Sequence, residues 1–207
     1  MEERVPRLEF QQGWVDLTLE GSRGRTEAVG LAKELLSRFN PLERTLDDQD
    51  LLNDLADRAV FLNRNAPLLA AAHYTPDGVA LVDLWVDSYA EEEAPRPEPG
   101  DVVPLLLDWS NAKVAGDPDI RYLDLEAGPA VRVQAVLKEK RILGFGSQLA
   151  ELVRYAVFPP GANYLVVVTA TWQDMARTDD LVRLTDQLVA SMSLVPVEQG
   201  EQIDPAD

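Results

Sequence analysis

The strongest constraint in this chain is a two-residue alternation that recurs along most of its length. From Ala130 to Lys138, Val131, Val133, Ala135 and Leu137 face one way, while Arg132, Gln134 and Lys138 face the other. That period belongs to a half-buried strand and cannot be served by a helix. Trp14 to Glu20 repeats it, with Val15, Leu17 and Leu19 set against Asp16, Thr18 and Glu20. So does Val79 to Val86, where Ala80, Val82, Leu84 and Val86 share a face. Leu68–His73, Ile120–Leu125, Leu152–Phe158 and Tyr164–Trp172 are further apolar runs of strand length. The short link EAGP joins Ile120–Leu125 to Ala130–Lys138 and PPGAN joins Leu152–Phe158 to Tyr164–Trp172, and strands joined by short turns pair antiparallel. Val102–Trp109 reads as one more strand, confined to a sheet edge because Pro104 has no amide to donate.

Three segments carry helical spacing instead. Thr26 reads as an N-cap before the stripe Val29, Ala32, Leu35, Leu36 and Phe39, and Asn40-Pro41 ends it. A second helix is expected from Thr45, with Asp48 three residues on and Leu51, Leu52, Leu55 and Ala59 as its buried stripe. A third starts near Thr178, with Asp179 and Asp180 in its first turn and Leu181, Leu184, Leu188 and Met192 in line. The expected fold class is α+β. An antiparallel sheet of about six or seven strands is flanked by two N-terminal helices and one C-terminal helix.

Length and composition support one domain over 1–197, followed by a polar, disordered tail over 198–207. Within the domain, AEEEAPRPEPGD at 90–101 has too many prolines and carboxylates for a regular element and is expected to be a solvated loop. There are 36 acidic and 19 basic residues, for a net charge of -17. That balance argues against nucleic-acid binding and anionic membranes, which require a basic surface, and points to a basic partner. With no cysteine and one histidine, thiol chemistry, thiolate zinc sites and two-histidine metal motifs are excluded. MEERVPRLEF is followed by no apolar signal core, and the longest apolar run, Tyr164 to Trp172, is half a membrane span. A cytoplasmic protein without membrane insertion is expected.

The segment from Val153 to Val195 contains RYAVFPPGANYLVVVTATW and, after a short link, DDLVRLTDQLVASMSLVP. A hairpin, a threonine-bearing last strand, a helix and a closing S-x-S-L segment resemble the C-terminal signature of the PsbP-like superfamily, which includes DcrB-like and LpqN-like proteins. The opening GWVDLTLEG is similar to that family's first strand. The resemblance implies a module that binds proteins and is not an enzyme. It carries over no catalytic, cofactor-binding or metal-binding residue.

The residues agree on those absences. His73 could act as a general base only beside an activated serine, and the chain has no G-x-S-x-G elbow. Asp47, Asp48 and Asp50 lack the spacing of a calcium loop, since Leu52 stands where its glycine belongs. They read as helix-start charges, whereas Asp117 and Asp119, in AGDPDIRY, suit a surface cation better, with a turn as the favoured reading. Gly144-Phe145-Gly146-Ser147 lacks the Gly-Lys-Ser/Thr of a phosphate loop. The basic cluster before it, Lys138, Lys140 and Arg141, together with Phe145, is the candidate partner-binding surface. Trp14, Trp85, Trp109 and Trp172 suit either a core or a docking face. The expected function is therefore a non-enzymatic protein-binding module: an adaptor, chaperone or assembly component. The alternatives are a small-ligand carrier and a carboxylate-based hydrolase without a recognised motif.

Overall fold

The computed structural model describes residues 4–90, 96–109, 112–140 and 147–196. Its elements are β1 (Arg4–Arg7), β2 (Trp14–Asp16), α1 (Arg25–Leu36), α2 (Asp48–Leu62), β3 (Leu69–Tyr74), β4 (Ala80–Tyr89), α3 (Val103–Leu107), β5 (Ala112–Leu125), β6 (Gly128–Lys140), β7 (Ser147–Val157), β8 (Leu165–Trp172), α4 (Thr178–Ala190) and β9 (Ser193–Pro196). The main sheet has seven strands in the order β2-β3-β4-β8-β7-β6-β5, with every described pairing antiparallel. β5 to β8 form a meander that turns back and docks β8 against β4. β1 and β9 make a separate two-stranded ribbon. This is the expected α+β architecture.

Alternation decides what covers each face. Leu84, Val86, Val153, Tyr155, Val166, Val168 and Ala170 point to one side, where α4 buries Leu181, Leu188 and Val189 against them. On the other side α1 and α2 cover Val15, Leu17, Ala70, Ala72 and Tyr74. Farther along that side, Leu106 of α3 packs with Val131, Val133, Ala156 and Val167.

Val103–Leu107 is helical, which corrects the expected edge strand. Pro104 lies in the first turn, where a helix needs no amide from it and its fixed φ suits the geometry. Two helix starts also differ. Asp47, not Thr45, caps α2, its side chain accepting from the Asp50 N–H at 2.8 Å. Thr45 instead donates its amide to the Asp77 carbonyl. Gly24 precedes α1, and Glu27 reaches back to the Gly21 and Arg23 amides. The aspartates 47, 48 and 50 are helix-start charges, as expected. The 90–101 loop is described at Ala90 and from Arg96 onward. There the guanidinium donates to the Pro159 carbonyl and lies over the Phe158 ring. The expected tail at 198–207 lies outside the described residues. No described helix is long and apolar enough to cross a membrane.

β2 stops at Asp16, although the alternation runs on to Glu20. One main-chain bond continues, from the Leu17 amide to the Ala70 carbonyl at 2.8 Å, and side chains then take over. The Thr18 hydroxyl accepts from the Ala70 amide, and the buried Asn63 accepts from Leu19 N–H and donates to the Leu17 and Ala59 carbonyls. Asn63→Ala leaves the Leu19 N–H and the Leu17 carbonyl without their partner, while the Ala59 carbonyl keeps the backbone N–H of residue 63. It is expected to cost about 2–3 kcal/mol, read by urea unfolding. A loss under 0.5 kcal/mol would refute this bridging role.

Candidate functional site

The polar half of the β6 alternation faces α4, so it cannot simply meet water. Arg132 is the extreme case, with only 2% of its side chain exposed. Its Nε donates to the Asp186 carboxylate of α4 at 2.9 Å, its Nη2 to Gln134 Oε1 at 2.9 Å, and an Nη1 contact of 3.4 Å reaches Asp119 of β5. Gln134 donates to Glu151 of β7 at 2.6 Å, and the Thr178 hydroxyl at the start of α4 donates to the same carboxylate. The Tyr155 hydroxyl donates to Asp186. Burial pulls the Arg132 guanidinium down, but hydrogen bonding to Asp186 and the charges around it outweigh that, so its pKa is raised. Burial, then the Asp186 carboxylate, pushes the Tyr155 phenol well above its ordinary range. Arg132 is therefore a fixed cation and Tyr155 a fixed neutral donor, pinning α4 to three strands.

Above this network lies an open groove of about 390 Å³, lined by Asp117, Asp119, Arg121, Gln134, Glu151 and Asp179 among others. A register shift in β5 between Ala115 and Asp119 opens it. Bulges of this kind re-aim side chains at a sheet rim. Asp119 is shared by Arg121, at 2.8 Å, and Arg132. Asp117 and Asp179 are exposed, and among the described residues no lysine or arginine lies within 4 Å of either. The groove is thus a rigid frame presenting uncompensated negative charge. Such a frame suits the recognition of cations.

At the end of the same face, Lys138 is exposed on β6. It stands directly opposite Lys113 of β5 on one side and Leu149 of β7 on the other, and both of those are exposed as well. Lys140 closes β6, while Arg141 and Phe145 lie outside the described residues, as does most of the glycine loop. Lys113 is a member of the basic rim that sequence reading missed. It is 25 positions from Lys138, and only strand register brings the two together. Arg132, Glu151 and Asp186 were also missed. A lone arginine in an alternating strand reads as a solvent-facing residue until a helix is placed over it.

His73 is nearly buried and packs edge-on against Trp14, with ring centroids 5.3 Å apart. Its Nδ1 has no hydrogen-bond partner among the described residues. A side chain on Gly13, at φ +90°, would place Cβ 2.4 Å from its Nε2. This is a packed core imidazole. Burial lowers its pKa, partly offset by a backbone hydrogen bond at Gln12. The unfolded chain therefore takes up the proton first, so His73's contribution is complete above about pH 6.5 and is lost as the pH falls. Unfolding free energies at pH 7.5 and pH 5 are expected to differ less in His73→Gln than in the parent. An equal difference would overturn this reading. Trp14 and Trp172 are buried, whereas Trp85 and Trp109 are half-buried, 6.3 Å apart, with Arg154 over the Trp109 ring. A second ionic cluster ties Arg58 of α2 to Asp54, to Asp83 of β4 and to the Tyr74 hydroxyl. It joins α2 to the sheet. No three described histidines or carboxylates are grouped to hold a metal ion.

The arrangement of sheet, groove and flanking helices can be set against solved structures. LpqN, described as involved in cell envelope biogenesis of Mycobacterium tuberculosis, superposes with a TM-score of 0.50 at 11% identity, over 94% of this chain and 86% of LpqN. The chain has an LpqN-like fold. Cyanobacterial PsbP (CyanoP) from Synechocystis sp. PCC 6803 aligns at 9% identity and a TM-score of 0.43, over 94% of each chain. No protein-family model and no curated protein sequence matches. The LpqN-like fold agrees with the family resemblance read from the C-terminal hairpin and helix.

Proposed function

We propose that this chain is a non-enzymatic protein-binding module, working as an adaptor, chaperone or assembly component. Its binding surface is the α4-side face of β5, β6 and β7. The observation that carries this is the open groove, with unneutralised Asp117 and Asp179 beside an exposed rim of Lys113, Lys138 and Leu149. Charges held on a rigid frame meet a partner with little ordering cost. The carboxylates deeper in the groove are already engaged by Arg132, Arg121, Gln134 or Thr178, which suits them to shaping a surface. The LpqN-like fold is compatible with this reading. The favoured partner is a basic protein.

The test is capture by tagged, purified protein, with bound chains measured by quantitative mass spectrometry. Asp117→Asn with Asp179→Asn, and separately Lys138→Ala with Lys140→Ala and Arg141→Ala, are each expected to reduce recovery of the same partner at least five-fold, in line with a loss of about 1 kcal/mol. Unchanged recovery with both variants would overturn the assignment of this face.

A further inference from the structure

We infer that the outer edge of β5 accepts an extended segment of a basic partner as an eighth strand. This inference rests on the binding-module reading and specifies how the partner is held. β5 is fourteen residues long and ends the sheet, and among the described residues nothing pairs with its outer side. The opposite edge, β2, has only three residues. Backbone direction follows from one bond: the Phe158 amide donates to the Pro129 carbonyl at 2.8 Å, so Pro129 of β6 points toward β7. Antiparallel ladders alternate. Gly128, Ala130, Arg132 and Gln134 therefore bond toward β5, and their partners there are Leu125, Leu123, Arg121 and Asp119. The N–H and C=O groups of Ile120, Tyr122 and Asp124 are left directed outward.

The side chains of that edge define the segment that fits. Ile120 and Tyr122 share the face opposite α4 and are 39% and 64% exposed. Asp119 lies on the α4 face, next to Asp117 and the groove. An added strand thus places apolar side chains beside Ile120 and Tyr122. On the α4 face the added strand stands beside Arg121 and Leu123, which uncharged side chains suit, and a single lysine or arginine at its end, level with Asp119, reaches the unneutralised Asp117. The bulge and Pro118 limit pairing to the stretch from Ile120 to Leu125. A second copy of this chain fits poorly. Twofold antiparallel pairing centred on Tyr122 sets Ile120 against Asp124 and Arg121 against Leu123, with no charge matched, between chains of net charge -17. Strand addition of this kind draws affinity from main-chain bonds and specificity from alternate side chains.

The probe is a capped eight-residue peptide of alternating valine and threonine that ends in a lysine level with Asp119, with glutamate at that position as control, added to the full chain. Amide exchange by NMR is expected to slow at Ile120, Tyr122 and Asp124 with the lysine peptide only. Tyr122→Pro removes an outward donor while leaving the β5–β6 bonds intact, a position where edge strands tolerate proline. It is expected to weaken binding at least ten-fold. If that variant fails to fold, methylating the valine nitrogens of the peptide on the parent protein is expected to abolish binding instead. Binding without protection of these three amides, equal binding of the glutamate peptide, or a dimer that competes with the peptide would each overturn the inference. If Tyr122→Pro leaves partner capture intact while the groove variants abolish it, strand addition fails and the binding-module reading stands. If capture survives every variant, that reading fails with it.

Discussion

Arg132→Ala is expected to lower the unfolding free energy by about 3–5 kcal/mol, the largest single effect in this molecule. The guanidinium is almost wholly buried and ties Asp186, Gln134 and Asp119 together. Its removal strands polar partners beneath α4 and opens a cavity the size of its stem. The triple variant Arg132→Met with Asp186→Leu and Tyr155→Phe removes the charge, its main counter-charge and the buried hydroxyl that donates to Asp186. Most of the loss is expected to return in it, because the cost lies chiefly in leaving one partner alone. Urea unfolding of the two variants checks both statements. A loss below 1 kcal/mol for Arg132→Ala would show that Arg132 does not hold α4 to the sheet.

Gly128→Ala is the second large effect, expected at about 2–4 kcal/mol. Gly128 turns β5 into β6 at φ +135°, a conformation side chains rarely adopt. A Cβ there would sit 2.4 Å from the Phe158 carbonyl oxygen, which is backbone and cannot swing aside. Relief requires moving the Phe158–Pro129 pairing, and with it the registry between β6 and β7. Gly161→Ala is the matched control. It also has positive φ, but nothing lies within 4 Å of its Cβ position. Thermal unfolding of the pair separates backbone preference from collision. Equal losses would remove the collision from the account.

Much of this architecture was legible in the chain because its signals are local. Alternation in β4 and β6, the apolar runs of β3, β7 and β8, the PPGAN hairpin and the Leu181–Leu188 stripe of α4 each depend on residues close in sequence. The misreadings were also local, but two meanings competed for one residue. Pro104 suits an edge strand or a first helical turn, and Leu106 packing on Val131 and Val133 decided for the helix. The alternation in Trp14–Glu20 suits seven residues of strand, yet Asn63 replaces the partner strand beyond Leu17.

The candidate site was legible only at Lys138 and in the acidic character of its surroundings. Which lysine stands opposite Lys138, and which carboxylate meets Arg132, depends on strand register and helix placement. Those are settled by the packing of distant segments.

Composition and spacing by themselves determined the fold class, the order of most elements and the absence of thiol and two-histidine chemistry, since periodicity and residue inventory need no partner. Only the tertiary structure decided that Arg132 is a buried keystone, that Lys113 joins the basic rim and that β5 ends the sheet with an open edge. Each of those properties belongs to pairs of residues far apart along the chain. Their meeting is governed by the global minimum of burial and hydrogen bonding, not by any local preference.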